Sequence, residues 1–461
     1  MVASSGSARD GWSSRTAFIL AAIGSAVGLG NLWRFPAEAG QNGGGAFVLF
    51  YIFCVIFIGL PVLLSETLLG RHGQASAPES VRRMAAESNA LSAFMIVSFY
   101  CVVGGWVLYY VYVFAGDLVT TGLAGGAFEG RDRAEIEGIL PGLFGSARLM
   151  ITGHLVFFAI TMFFVMRGVS QGIEWVATWL MPAFFVLLVG ITLYGLTSGA
   201  GMETLTYLFS FDFTKLTPQV MLAAVGQAFF SLSLGVAGMI TYGSYAGRDI
   251  NLGRTSGIIA SADTAVALIA GLCIFPIVFA AIAAGATDLS VEGCPGLRFA
   301  ALPGGLQAMP CGAFIGLVFF IMVGFAALTS SVALLEVPTS WVMERFETSR
   351  MVSTLGVGLS AALLGIFAAL SFNEWSDVRP LAFVPIFAEA NVFDALDGVT
   401  AKIFMPLGAI LTCVFVGWVA EPRLVDTENG LNGWLHQLWR ALVRYVCPLV
   451  LIVITFFGLF G

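Results

Sequence analysis

Eleven runs of about twenty mostly apolar residues follow one another along this chain, and they constrain its fold more than any other feature. They cover residues 14–38, 44–69, 90–120, 149–167, 172–197, 219–246, 256–286, 311–344, 352–372, 398–420 and 438–460. About 20 helical residues span a hydrocarbon core of about 30 Å. Backbone polar groups in lipid must be satisfied internally, which leaves helices as the reading for runs this long. Mean hydropathy is +0.91 and charged residues make up only 11%, which excludes a soluble domain. The net charge of −7 is small for 461 residues and points to neither nucleic acid nor a strongly charged substrate. The expectation is an all-α polytopic membrane protein.

The opening "MVASSGSARDGWSSR" lacks the pattern of a cleaved signal peptide, so the first run is expected to stay as a span. Thirteen of the 21 lysines and arginines fall on one side if the N-terminus is cytoplasmic. That bias predicts N-in orientation and, with eleven spans, a periplasmic C-terminus. His72, His154 and His436 show no metal-ligand spacing. Cys54, Cys101, Cys273, Cys413 and Cys447 lie in apolar runs and read as small core residues. Cys294 and Cys311 flank one polar loop on the oxidising side, where a disulfide is expected.

Two runs are interrupted. "GSAVGLGNLWRFP", residues 24–36, puts Gly24, Gly28 and Gly30 ahead of Asn31 and Arg34. The sixth run, "GQAFFSLSLGVAGMITYGSYAGRD", has a small, hydroxylated centre. Unwound backbone in lipid costs several kcal/mol per unsatisfied group, so such breaks face a cavity or a bound ion. Small-residue packing faces are the other reading of either segment alone. Two breaks five spans apart, with Asn31 and Arg34 beside one, point to a transporter built from an inverted repeat. Tyr100 has its own alternative, an ordinary packing aromatic.

Together, "GSAVGLGNLWRFP" and "GQAFFSLSLG" resemble the neurotransmitter:sodium symporter family, whose bacterial leucine transporter names the fold. "LSETLLGRHGQ" with Glu66, "FYCVVGGWVLYY", "ALTSSVALLEVP" and "FDALD" match in order. The resemblance implies a 5+5 inverted repeat with helices 1 and 6 broken. Residues 1–13 would be a cytoplasmic tail, 14–197 and 219–420 the repeats, and 438–460 one extra span, where the family commonly has two.

It also implies two sodium sites. The first would use Ala26, Asn31, Ser231 and Asp263; the second Gly24, Val27, Ala326, Thr329 and Ser330. Oxygen donors suit a hard cation. At Asp263 the family has asparagine; a resident carboxylate would replace the chloride that animal members use. The other reading of Asp263 is a cap after "GRTSGIIAS", and hydroxyls such as Thr329 commonly bond back to their own helix.

The implied substrate pocket takes Ser25, Ala26, Gly28, Leu29, Gly30, Ile96, Tyr100, Phe230, Ser231, Ser233, Val236, Ser330 and Leu334. Amine transporters of the family carry aspartate at the position of Gly28. A glycine there implies an L-amino acid whose own carboxylate meets the sodium. Valine at 236, where phenylalanine is common, favours a bulky hydrophobic or aromatic side chain. A small neutral amino acid, or a non-transporting sensor of the same fold, are the alternatives.

Outer gating would fall to Arg34 and Asp397, and inner gating to Arg9, Trp12, Ser244 and Tyr245. The family's inner acid aligns with Arg345, next to Glu344, which departs from the pattern. Gly172 and Pro182 bracket a stretch of the fifth run that either unwinds during the cycle or holds a static kink.

Overall fold

The computed structural model describes residues 11–72, 79–123, 126–197, 200–283, 297–307 and 309–460. Arg9 and Cys294, and with Cys294 the expected disulfide, lie outside them. Every regular element among the described residues is helical. The principal helices are α1 (Arg15–Ala26), α2 (Gly30–Gln41), α3 (Gly45–Arg71), α4 (Asn89–Thr121), α5 (Ala147–Met166) and α6 (Val169–Thr197). They continue with α7 (Pro218–Ser231) and α8 (Gly238–Ser244), then α9 (Leu252–Ala280), α10 (Gly312–Phe346), α11 (Arg350–Leu370), α12 (Val392–Val419) and α13 (Gly433–Phe460).

Among the described residues, nine of these helices are long and apolar enough to cross a membrane, and the α1–α2 pair, bent by 47°, makes a tenth. The sixth expected span is the pair α7–α8, of 14 and 7 residues. At about 1.5 Å per residue neither half alone covers a bilayer core.

Local chemistry sets the helix starts. Ser14 accepts a hydrogen bond from Ala17 N at 3.1 Å and caps α1. Thr217 caps α7 ahead of Pro218, whose missing N–H costs nothing in a first turn. The breaks have different backbones. Between α1 and α2, Val27 turns extended at φ −72° and ψ 111°. Between α7 and α8, Ser233, Gly235 and Ala237 all have positive φ. At Gly235 a side chain would also collide with the Met405 carbonyl.

The scaffold beside the breaks is the pair α4 and α10. Tyr110 stacks on Phe320 with ring centroids 4.5 Å apart, and Gly316 admits the Phe114 ring where a methyl would clash. Close small-residue approach of this kind joins helices in lipid, where water supplies no driving force. By contrast, α13 is buried over only 17% of its apolar window. Leu449, Ile452, Val453, Phe456 and Phe460 face outward from it.

Candidate ion and substrate site

Three elements distant in sequence meet beside the break of α1. The Asn31 amide donates to Asp263 Oδ1 at 2.7 Å and to Ser231 Oγ at 2.9 Å. Ser231 Oγ donates to Asp263 Oδ2 at 2.6 Å and accepts from the Tyr51 hydroxyl at 3.2 Å. Asn31 Oδ1 accepts the Gly28 N–H at 3.1 Å. Asn31, Ser231 and Asp263 are fully buried.

Asp263 sits well inside α9 and does not cap it. Asn251 does that, accepting from Arg254 N at 2.9 Å. The Asp263 carboxylate accepts from Asn31 and Ser231, both neutral. A buried charge needs a counter-charge. A hard cation among the carboxylate, amide and hydroxyl oxygens would supply it, so the donor set fits sodium.

The second cluster joins α1 to α10. Ser330 Oγ donates to Val27 O at 3.1 Å and Gly24 O at 3.2 Å, carbonyls released where α1 stops. Thr329 Oγ1 bonds back to Ala326 O at 2.9 Å and Phe325 O at 3.2 Å. A methyl at Gly24 would stand 3.1 Å from Thr329 Cβ and 3.2 Å from Met181, so glycine lets α1 approach both α10 and α6. Ser330 thus joins the oxygens of Gly24 and Val27, and Thr329, bonded to Ala326 O, stands beside Gly24.

Between the clusters, Leu29 N donates to the Tyr100 hydroxyl at 3.3 Å. A side chain at Gly28 would start 2.6 Å from Ser330 Oγ and 2.9 Å from that hydroxyl. One at Gly30 would meet the Phe230 ring at 2.9 Å. Ser233 Oγ, from the α7–α8 break, donates to Ser25 O at 3.4 Å. Ala26 ends α1, Ile96 lies one turn before Tyr100, Leu334 lies one turn after Ser330, and Val236 is buried within the break. Sequence reasoning missed Gln227, whose amide donates to Gly30 O at 3.0 Å. It did register Glu66, which accepts the Gly235 N–H at 2.7 Å and so holds the second break.

The sodium:neurotransmitter symporter family model matches residues 9–120 and 141–460. This chain belongs to that family. A sodium-dependent transporter of Bacillus subtilis, YhdH, is 34% identical over 98% of this chain and 97% of its own. The sodium-dependent dopamine transporter of Bos taurus is 25% identical over 97% of this chain and 68% of its own. The crystal structure of MhsT in complex with L-phenylalanine superposes with a TM-score of 0.85 at 38% identity, covering 98% of this chain and all of that one. The fold is therefore the leucine-transporter fold of the sodium:neurotransmitter symporters. The protein is a sodium-dependent membrane transporter, and no enzyme.

In this symporter the outer gate residues do not all meet. Arg34 lies 3.5 Å from Glu38 and places its guanidinium 4.5 Å above the Phe230 ring. Among the described residues its ion-pair partner is Glu38, one turn along α2, rather than the expected Asp397. Asp397 lies on α12, near enough for its charge to interact with Arg34.

The end of this symporter that carries Trp12 is more tightly knit. Trp12 Nε1 donates to Tyr242 O at 3.1 Å, and the indole stands edge-on to Tyr242. Ser13 donates through its N–H to Glu174 Oε2 at 3.0 Å and through its hydroxyl to Oε1. Tyr245 donates to Glu336 Oε1 at 2.7 Å, and Arg350 grips both Glu336 oxygens at 2.7 and 3.1 Å. The buried acid of α10 is therefore Glu336. Arg345 and Glu344, where alignment put it, lie exposed at the helix end. An acid inside "ALLEVPTS" was the available signal, because ionisable residues within a span face a partner or a pathway.

The bracketed stretch of α6 is wound from Val169 through Pro182. Gly172 is required there by the Phe164 carbonyl, which a side chain would strike.

Proposed function

We propose that this protein carries a bulky hydrophobic or aromatic L-amino acid inward together with sodium, without need of chloride. The observation that carries the reading is the buried Asn31–Ser231–Asp263 triad, which supplies a fixed negative charge beside the broken helix. Sodium at this first site would be held by Asn31, Ser231, Asp263 and the Ala26 carbonyl, with the substrate carboxylate beside it. A second sodium would be held by Gly24, Val27, Ala326, Thr329 and Ser330. Gly28, with no side chain, leaves the substrate carboxylate free to reach the first site and the Tyr100 hydroxyl. The apolar side chain would rest among Ile96, Phe230, Val236 and Leu334. MhsT, solved with L-phenylalanine, supports an aromatic substrate.

The cycle follows from these placements. Each sodium moving down 100 mV contributes about 2.3 kcal/mol. Sodium does work only if it favours one conformation over the other. The second site provides that difference, because its ligands come from both mobile α1 and scaffold α10. Outward closure would bring Arg34 towards Asp397 over Phe230. Inward opening would release Trp12 and the expected Arg9, separate Tyr245 from Glu336, and loosen α6 between Gly172 and Pro182.

In the same reading the repeats span 14–197 and 219–420, with 438–460 accessory. The N-terminus faces the cytoplasm of a bacterial inner membrane and the C-terminus the periplasm.

The test is uptake of labelled L-phenylalanine, L-leucine and L-alanine into proteoliposomes. External sodium, lithium or potassium is compared, each as chloride and as gluconate. Sodium-specific, chloride-indifferent accumulation of phenylalanine above alanine is expected. Equal uptake with potassium alone would overturn the coupling, and preference for alanine would overturn the substrate class. Binding without uptake would mark a sensor.

A further inference from the structure

A groove of about 970 Å³ opens between the cytoplasm-proximal ends of α4, α10 and α11, away from the ion and substrate site. Its walls are apolar: Leu91 and Phe94 of α4, Trp341 and Val342 of α10, and Val352 and Val357 of α11. Its mouth is polar, with Arg345 at the end of α10 and the hydrogen-bonded hydroxyls of Thr348 and Ser353, 2.6 Å apart. From Val352 at the mouth to Ser360 at the far end, α11 rises about 12 Å. That is close to the depth of one leaflet's hydrocarbon, half of about 30 Å.

The charge at the mouth narrows the choice of occupant. Arg345 is exposed and makes no ion pair among the described residues. Its acidic neighbours Glu344 and Glu347 do not line the groove. Within lipid, an apolar slot with one free guanidinium at headgroup level matches an acyl chain bearing an anionic phosphate. Arginine suits phosphate because its planar fork donates two parallel hydrogen bonds. Near a membrane surface a basic residue also draws anionic lipid. The slot also has unfilled space: an added carbon at Gly356, on its α11 wall, would meet no atom within 4 Å.

We propose that this groove binds one anionic phospholipid of the near leaflet, its phosphate on Arg345 and one acyl chain lying between α4 and α11. The proposal is independent of which amino acid the protein carries.

The test is native mass spectrometry of the full-length protein, delipidated in detergent and offered phosphatidylglycerol or phosphatidylcholine of the same chains. The wild type is expected to retain at least fivefold more phosphatidylglycerol. Arg345→Ala should bring it down to the phosphatidylcholine level, and Arg345→Lys should restore part of it. Gly356→Leu, filling the slot, should remove the bound lipid of either kind. Arg248→Ala, an exposed cytoplasm-side arginine elsewhere, should change nothing, and all variants are checked for unaltered thermal unfolding. Equal retention of both lipids, lost only in Gly356→Leu, would replace the proposal with a neutral-chain site. Undiminished phosphatidylglycerol in both Arg345→Ala and Gly356→Leu would overturn it outright.

Discussion

Asn31 and Asp263, 232 residues apart in sequence, meet at 2.7 Å in the buried centre of the molecule. One comes from the broken first helix and the other from an unbroken helix that crosses it. The amide cannot neutralise the carboxylate, and on the proposed reading sodium supplies the missing charge.

Replacing the carboxylate separates charge from shape. Asp263→Asn keeps the size and the hydrogen bonding to Ser231 but removes the negative charge. The sodium concentration for half-maximal uptake is expected to rise about tenfold, which is about 1.4 kcal/mol. Chloride should then stimulate uptake, whereas the parent is expected to be indifferent to it. Uptake measured against sodium in chloride and in gluconate decides it; an unchanged sodium requirement would remove Asp263 from the first site.

Gly28 is tested by the smallest possible addition. A methyl there would begin 2.6 Å from Ser330 Oγ and 2.9 Å from the Tyr100 hydroxyl. Overpacking of this kind costs about 1–3 kcal/mol. In Gly28→Ala, sodium-dependent phenylalanine binding by scintillation proximity should fall at least tenfold while the folded protein is still recovered. Wild-type binding would show that the space beside Gly28 is not used by the substrate.

Glu336 has a different weight, because its loss removes the carboxylate that faces Arg350, whose side chain is 15% exposed. Breaking a buried pair by removing one partner costs about 3–5 kcal/mol. Glu336→Gln should lower the thermal unfolding midpoint and raise the labelling rate of a cysteine introduced at Ser25 from the cytoplasmic side. The double variant Glu336→Gln with Arg350→Gln should recover much of the stability but not the slow labelling. If neither property moves in Glu336→Gln, the cytoplasmic closure does not depend on this pair.

The link from Ser13 to Glu174 ties the segment before α1 to the second turn of α6. Glu174→Gln weakens both bonds, since hydrogen bonds to a charged group are about twice as strong as neutral ones. Amide hydrogen exchange over residues 169–181 should quicken several-fold, with Pro182 marking the boundary. Exchange that stays slow would make the bracketed stretch a static kink.

What the sequence by itself determined is the set of properties that each residue carries along its own segment. Apolar runs of about twenty residues dictate spanning helices because lipid satisfies no backbone group. The glycines of residues 24–30 and the centre of the sixth run dictate breaks, because a helix there lacks side chains to cover its backbone. Those facts made the fold legible, and the motif around Asn31 singled out residues, Asn31 and Ser231 among them, that the structure brings together.

The tertiary structure alone decided which polar groups share a site. A helix cap stayed an alternative reading of Asp263 until α9 carried it inside to Asn31 and Ser231. Glu336, rather than Glu344 or Arg345, became the inner acid because α10 turns it onto Tyr245 and Arg350, and both come from other helices. Arg34 faces Glu38, one turn along its own helix, and the Phe230 ring from another, a choice that only the packing of side chains fixes. Hydrophobic periodicity acts within one segment, whereas pairing between segments depends on how helices rotate and cross, and a string of residues does not state those angles.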